Sequence, residues 1–289
     1  MSSNNNKKQI LPKQHQNRQP GFEHEMNPLP QYEDPNYNGS GKLKGKVAIV
    51  TGGDSGIGRA VSIYFAKEGA DVAIIYFNEH KDAEDTKKWI EKEGQKCTII
   101  SGDVSDADFC NTSVQSVIGE YGKVDILVNN AAVQYPQKDF MSITNEQFEK
   151  TFKVNIFSFF YMAKAVVPHF KQGCSIINTS SITAYKGNEQ LVDYSSTKGA
   201  ITSFTRALSQ SLVKKGIRVN AVAPGPIWTP LIPASFDEQQ VSEFGSDTPM
   251  GRPGQTFELA PAYVYLASND SSYVTGQMIH VNGGNVVNG

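Results

Sequence analysis

A doubly wound α/β domain, with one seven-stranded parallel sheet and helices on both faces, is the fold class predicted by three observations. From Lys46 onward, short apolar runs alternate with amphipathic segments at the beat of repeated βαβ units. Each run is nearly continuous in Val and Ile rather than alternating, as expected of strands covered on both faces. The first run leads straight into Thr51-Gly52-Gly53-Asp54-Ser55-Gly56-Ile57-Gly58, after which Ala60, Ile63, Tyr64 and Ala66 open a helix.

The predicted strands, in order, are Lys46–Val50, Val72–Tyr76, Cys97–Ile100, Ile126–Val128, Ser175–Asn178, Arg218–Val222 and Met278–Val281. Between the fourth and fifth, Thr151–His169 carries Phe157, Phe159, Phe160 and Tyr161. Like the helix after Tyr194, it is apolar over more than one face, which predicts burial on two sides. One side packs on the sheet, and the other is read either as core or as a contact with a second copy.

Residues 1–42 are compositionally foreign to residues 43–289. They hold five of the fourteen prolines, and Ile10, Leu11 and Leu29 are their only branched aliphatics. Such a segment cannot build a core of its own. It is read either as a disordered tail or as an arm whose Phe22, Tyr32 and Tyr37 anchor it on a neighbouring subunit.

Composition excludes several classes of function. The chain has 289 residues, 39% of them hydrophobic, and a net charge of −2, with no Lys/Arg run longer than two. That leaves no basic field for nucleic acid or an anionic membrane, and no apolar stretch approaches a membrane span. Cys97, Cys110 and Cys174 are odd in number and far apart, which argues against a disulfide framework or a metal site. With no apolar leader at Met-Ser-Ser-Asn, a cytoplasmic location is expected.

The glycine-rich turn sits between a strand and a helix, the context that a dinucleotide phosphate requires. Glycines admit a close backbone approach, and the helix N-terminus offers unpaired N–H groups and a positive dipole end. Further on, Tyr194 and Lys198 stand at i and i+4, one turn apart on one helix face, with Ser181 thirteen residues before the tyrosine. A cation near a phenol favours phenolate, bringing a group that titrates near pH ~10 towards use as an acid or base.

The three-residue gap between Gly52 and Gly56, Asp103-Val104 after the third strand, Asn129-Asn130-Ala131-Ala132 after the fourth, and the Ser181/Tyr194/Lys198 set together resemble the short-chain dehydrogenase/reductase family over roughly residues 43–289. The resemblance implies a Rossmann-type fold, a homotetramer and hydride transfer between a nicotinamide cofactor and a small alcohol or carbonyl compound. It also implies roles. Ser181 stabilises the substrate oxygen, Tyr194 exchanges the proton, Lys198 lowers the tyrosine pKa and binds ribose hydroxyls, and Asn155 holds a water connecting the lysine to solvent. The cofactor positions implied are Gly52, Asp54, Ser55, Gly56, Ile57, Gly58, Tyr76, Phe77, Asn78, Asp103, Val104, Asn129, Ala131, Ala132, Tyr194 and Lys198. Pro224, Gly225, Ile227 and Thr229 join them on the nicotinamide side. Family members usually carry glycine where this chain has Ala132. Residues 230–253 are read as a substrate-covering lid.

NAD rather than NADP is expected, with modest discrimination. The end of the second strand, Tyr76-Phe77-Asn78, has neither the acid that binds a ribose 2′-OH nor the arginine that binds a 2′-phosphate. A bacterial enzyme akin to glucose or ribitol dehydrogenases is the reading favoured. An acyl-thioester reductase and a cofactor-binding sensor without turnover are the alternatives.

Overall fold

The structure, a computed structural model, describes residues 8–287. Strands β1 (Val47–Thr51), β2 (Asp71–Tyr76), β3 (Cys97–Ser101), β4 (Ile126–Asn129), β5 (Ser175–Thr179), β6 (Arg218–Pro224) and β7 (Met278–Val281) form one sheet. All pairs are parallel, in the order β3-β2-β1-β4-β5-β6-β7. Chain direction across the sheet reverses between β1 and β4, where a crevice opens at the strands' carboxyl ends. Every predicted strand is present within two residues of its expected bounds.

The sheet's period of two divides the core. Ala48, Val50, Val72 and Ile74 face one layer, packing on α1 (Gly56–Lys67), α2 (His80–Lys92) and α9 (Ala260–Ala267). Val47, Ile49, Ala73 and Ile75 face the other, against α3 (Ala107–Tyr121), α5 (Ser158–Val166) and α7 (Val192–Leu212). Both faces of the inner strands β1, β2, β4, β5 and β6 are therefore dry, which explains why they read as nearly unbroken apolar runs, whereas the edge strands β3 and β7 are only partly covered. The capping residues are those that the helix starts call for. Asp106 accepts the amides of Asp108 and Phe109 ahead of α3, and Thr144 accepts that of Gln147 ahead of α4 (Asn145–Phe152).

The stretch expected as one helix over 151–169 belongs to a longer helical run. A π-helical turn, Lys153–Phe157, separates α4 from α5. Two short helices lie beside the crevice, α6 (Thr183–Lys186) and α8 (Glu238–Glu243).

From residue 8 onward, the described part of the N-terminal arm lies on the chain's own domain. Tyr37 stacks at 4.3 Å on Tyr64 of α1, Tyr32 meets Trp89 edge-on at 5.5 Å, and Phe22 lies beneath Arg18. Met26 joins Trp228, Ile232 and Val241 in a small core of its own, and Trp228 Nε1 donates to the Pro28 carbonyl at 2.9 Å. An arm too polar to form a core alone has borrowed one from the domain.

Candidate active site

The glycine-rich turn is built by close packing. Gly52 and Gly56 have φ of +61° and +55°, and a Cβ at Gly58 would stand 1.9 Å from the Gly52 carbonyl oxygen. Neither the turn nor the tight seat of α1 tolerates a side chain there. Asn130 Nδ2 donates to the carbonyls of Thr51 and Gly52 at 3.2 Å, and Thr51 Oγ1 accepts the Asn130 amide at 2.9 Å. Thr51 and Asn130 thus lock the turn to the end of β4, a pairing the sequence reading did not single out. Asn129 is fully buried and donates to Asn178 of β5 at 3.0 Å, so it steadies the strands and stands back from the cleft.

One feature of α1 was invisible in the sequence. Ser55 provides no side-chain cap; Glu23 from the arm does, its Oε2 accepting the Gly56 amide at 2.6 Å. The Gly56 N–H, expected to face a phosphate, is therefore already bonded, whereas Ile57 and Gly58 follow with amides that have no partner one turn back. Glu23 Oε1 stands 2.6 Å from Arg59 Nη1, an ion pair without hydrogen-bond alignment. Arg59 also holds the Asp54 carbonyl, Thr86 and Asp82 behind the turn, facing away from the cleft as expected.

A cleft of about 810 Å³ runs along the strands' carboxyl ends. One end is bordered by Gly52, Asp54–Ile57, Tyr76, Phe77, Asp103 and Val104, while arm residues Gln19, Pro20 and Gly21 border the cleft beside Gln134, Pro230 and Ser235. The Tyr76 hydroxyl is engaged with His80 Nδ1 at 2.9 Å. Asn78 does not border the cleft; its Oδ1 accepts from Arg18 of the arm. Asp54 is buried beside Glu79, and burial pushes its carboxyl up to about 7. Ala132 lines the cleft with an ordinary backbone, since no non-glycine residue among those described has positive φ, so the extra methyl carries no strain.

Ala131, Pro224, Gly225, Ile227 and Thr229 border the middle of the cleft, where Ser181, Tyr194 and Lys198 converge. Ser181 Oγ accepts from Thr183 N and lies 3.0 Å from Thr183 Oγ1. Neighbouring Ser180 instead donates to the Lys198 carbonyl, which separates the two serines that sequence alone left adjacent. Lys198 Nζ donates to the Thr179 carbonyl at 2.9 Å and stands 5.3 Å from the Tyr194 ring centre. Asn155 sits in the π-helical turn, fully buried. Its side chain exchanges two 2.9 Å hydrogen bonds with the Val133 backbone and reaches Thr197, pinning the post-β4 loop to α7.

The electrostatics depart from the sequence expectation. Tyr194 was expected to be drawn down by Lys198, but burial pushes its phenol up to about 12, partly offset by a hydrogen bond from Ser181. Burial equally presses the Lys198 ammonium down to about 7. Burial thus favours the neutral form of both side chains.

Residues 230–253, expected to cover the substrate, border the cleft through Leu231, Ile232, Phe236, Gln240, Glu243 and Phe244. The arm ties this cover down. Ile10 and Leu11 donate to the Ser242 carbonyl, Gln16 to Pro233, and His15 Nδ1 lies 2.8 Å from the Phe236 carbonyl.

Fold, turn and cleft define a nicotinamide-dependent oxidoreductase with its cofactor crevice at the topological switch point. The chain belongs to the short-chain dehydrogenase/reductase family. Residues 52–285 match the family profile described as enoyl-(acyl carrier protein) reductase. The chain is 65% identical over 274 residues to the Bacillus subtilis oxidoreductase YhdF, covering 95% of each chain. It is 52% identical to glucose and ribitol dehydrogenase of Daucus carota and 50% identical to NADPH-dependent aldehyde reductase 1, chloroplastic, of Arabidopsis thaliana, each match covering 96% of this chain and 98% of the relative. Among solved structures, it resembles a Burkholderia cenocepacia short-chain dehydrogenase in complex with NADP (TM-score 0.79, 28% identity, 84% of this chain and 98% of that one). It also resembles the Brucella melitensis 3-ketoacyl-(acyl-carrier-protein) reductase complexed with NADH (TM-score 0.77, 33% identity, 84% and 98%). No helix among the described residues is long and apolar enough to cross a membrane.

Proposed function

We propose that this chain interconverts a polyhydroxylated alcohol and its carbonyl form, a sugar or polyol, with NAD or NADP, and that Tyr194 is the general acid/base. The observation that carries this reading is the convergence of Ser181, Tyr194 and Lys198 beside a glycine-walled cleft with a polar outer end. Gln134, Tyr135, Asn188, Gln190 and Gln240 line that end, and the Tyr135 hydroxyl is buried without a partner, a donor suited to a substrate hydroxyl. The glycine-rich turn, Asp103, the Ala131–Ala132 loop and Lys198 would hold the cofactor, whose nicotinamide gives or takes the hydride. As a carbonyl is reduced, the Tyr194 O–H gives its proton to the substrate oxygen, while the Ser181 hydroxyl stabilises that oxygen's developing charge. Lys198, whose ammonium burial makes more acidic, then restores the proton to the phenolate.

The family profile's description and the Brucella relative make an acyl-thioester substrate the second reading. An acidic carrier would need a basic rim, but Lys150 and Lys186 are interleaved with Glu189, Glu243 and Asp247 around the cleft. A panel of sugars, polyols, simple aldehydes, ketones and acyl thioesters, assayed with both cofactors in both directions, tests the assignment. The highest kcat/KM is expected among the sugars and polyols or their aldehydes. Turnover confined to acyl thioesters would replace this reading with the second, and cofactor binding with no turnover across the panel would favour a sensor.

Assembly into four copies belongs to the same proposal. Phe148, Phe157 and Phe160 are exposed along the α4–α5 face, an apolar stripe that a second copy would cover. Light scattering at micromolar concentration should return four times the chain mass, and Phe157→Glu with Phe160→Glu should reduce it. A monomer mass for the wild-type protein would end this part of the proposal.

A further inference from the structure

We infer that Arg18, carried by the N-terminal arm, is the residue that recognises the cofactor's ribose 2′-phosphate and gives this protein a preference for NADP. This inference rests on the cofactor cleft proposed above. Its observation is the placement of a guanidinium from outside the nucleotide-binding unit at the end of β2. Arg18 Nη2 lies 2.6 Å from Asn78 Oδ1 and 2.8 Å from Glu79 Oε1. Its guanidinium carbon stands 3.5 Å above the Phe22 ring; Arg18 lies just outside the cleft lining, whereas the residues that follow, Gln19, Pro20 and Gly21, border the cleft beside Gln134, Pro230 and Ser235.

The end of β2 is where a parallel nucleotide-binding sheet reads the ribose 2′ position. Tyr76 cannot, because its hydroxyl is committed to His80, and Phe77 has no donor. The other arginine nearby, Arg59, is buried behind the turn and held by Glu23, Asp54 and Asp82. Lys150, Lys186 and Lys198 border the cleft elsewhere, toward the substrate. Arg18 is thus a cation that the fold brings to the end of β2, at Asn78 and Glu79. Only its Nη2 is engaged; Nε and Nη1 make no hydrogen bond among the described residues, leaving a free edge of the fork for phosphate oxygens. Glu79 and Phe22 hold the fork in place, which limits the side-chain entropy that binding would cost. Glu79 and Asp54 are the acids facing this position. Glu79 is neutralised by Arg18 itself, and both carboxyls are held above the usual range by burial.

The test uses the full chain and two probes without nicotinamide, ADP-ribose and 2′-phospho-ADP-ribose, with affinities measured by calorimetry at one ionic strength. The wild type should bind the phosphorylated probe at least about tenfold more tightly. Arg18→Gln should remove that ratio while changing ADP-ribose affinity less than about twofold, and Arg18→Lys should retain part of it. Tryptophan fluorescence, from Trp228 at the arm's Pro28 carbonyl and Trp89 against the arm's Tyr32, should be unchanged in both variants. A wild type that prefers ADP-ribose, or an Arg18→Gln variant that keeps the wild-type ratio, would overturn the inference and leave the cofactor cleft standing. Failure of the wild type to bind either probe would instead overturn the cleft.

Discussion

Tyr194→Phe should lower turnover by about a thousandfold while leaving the dissociation constant for the dinucleotide within twofold of wild type. The substitution removes one oxygen from a ring that stays in place, so the cleft keeps its shape and only the transferable proton is lost. Lys198→Met should differ by damaging both quantities, because the ammonium holds the Thr179 carbonyl and lines the same cleft, where it is proposed to hold the cofactor. The pH profile is fixed by the same two groups. Oxidation of an alcohol requires Tyr194 to lose its proton, and a phenol pushed up to about 12 is almost wholly protonated at neutrality, so the oxidation rate should climb steadily from pH 7 to 10. Carbonyl reduction uses the protonated form and should show no matching rise. Stopped-flow hydride transfer in both directions checks all of this. A phenylalanine variant with comparable turnover, or an oxidation rate flat across that range, would remove Tyr194 from the chemistry.

The sheet was legible because each strand carries its own evidence. Val47–Thr51 or Arg218–Pro224 reads as a two-sided strand without any knowledge of its neighbours, and Gly52, Gly56 and Gly58 announce a turn by their spacing. Ser181, Tyr194 and Lys198 were legible for a related reason, since a helix period and a strand end fix their relative positions. What stayed hidden depends on contacts between segments far apart in the chain. Nothing in the letters around Glu23 says that its carboxylate will cap α1, 33 residues later. Nothing around Arg18 says that it will lie at Asn78, 60 residues on. The arm's poverty in aliphatics was read correctly as an inability to form a core, but the same property is compatible with borrowing one through Met26 and Trp228. The balance of effects at Tyr194 was hidden too. Spacing shows that a lysine is near, whereas the extent of burial, which sets the sign of the shift, is known only once the cleft is assembled.

Expectation of NAD from Tyr76-Phe77-Asn78 and assignment of NADP preference to Arg18 use one physical rule applied to different sets of residues. A phosphate dianion needs a cation or several donors. The local sequence offers neither, and the inferred NADP preference rests on the folded chain's placing Arg18 of the arm at Asn78 and Glu79.

Arg59→Met should cost about 3–5 kcal/mol of folding stability at pH 8, the second large effect expected here. Arg59 is almost wholly buried and gathers the arm, the glycine-rich turn and α2 around one guanidinium. Nη1 pairs with Glu23 at 2.6 Å, Nη2 donates to the Asp82 carbonyl at 2.9 Å, and Nε donates to Thr86 Oγ1 at 2.8 Å. Methionine keeps much of the volume but leaves the Glu23 carboxylate buried with its charge opposed only by the Gly56 amide and the end of α1. The pH dependence follows from Glu23. Its carboxyl is already raised above the ordinary value by burial, with Arg59 the largest opposing influence, so removing Arg59 raises it further. An acid whose folded pKa lies above its unfolded one destabilises the fold where it is ionised, and that cost fades as pH falls through the folded pKa. The deficit of Arg59→Met should therefore shrink at pH 5.5, and Glu23→Gln in the same chain should recover part of it at pH 8. Urea unfolding at a fixed protein concentration measures each value. A loss under about 1 kcal/mol at pH 8, or a deficit that grows on acidification, would show that the cluster is solvated and that the arm is not fastened to α1 through this pair.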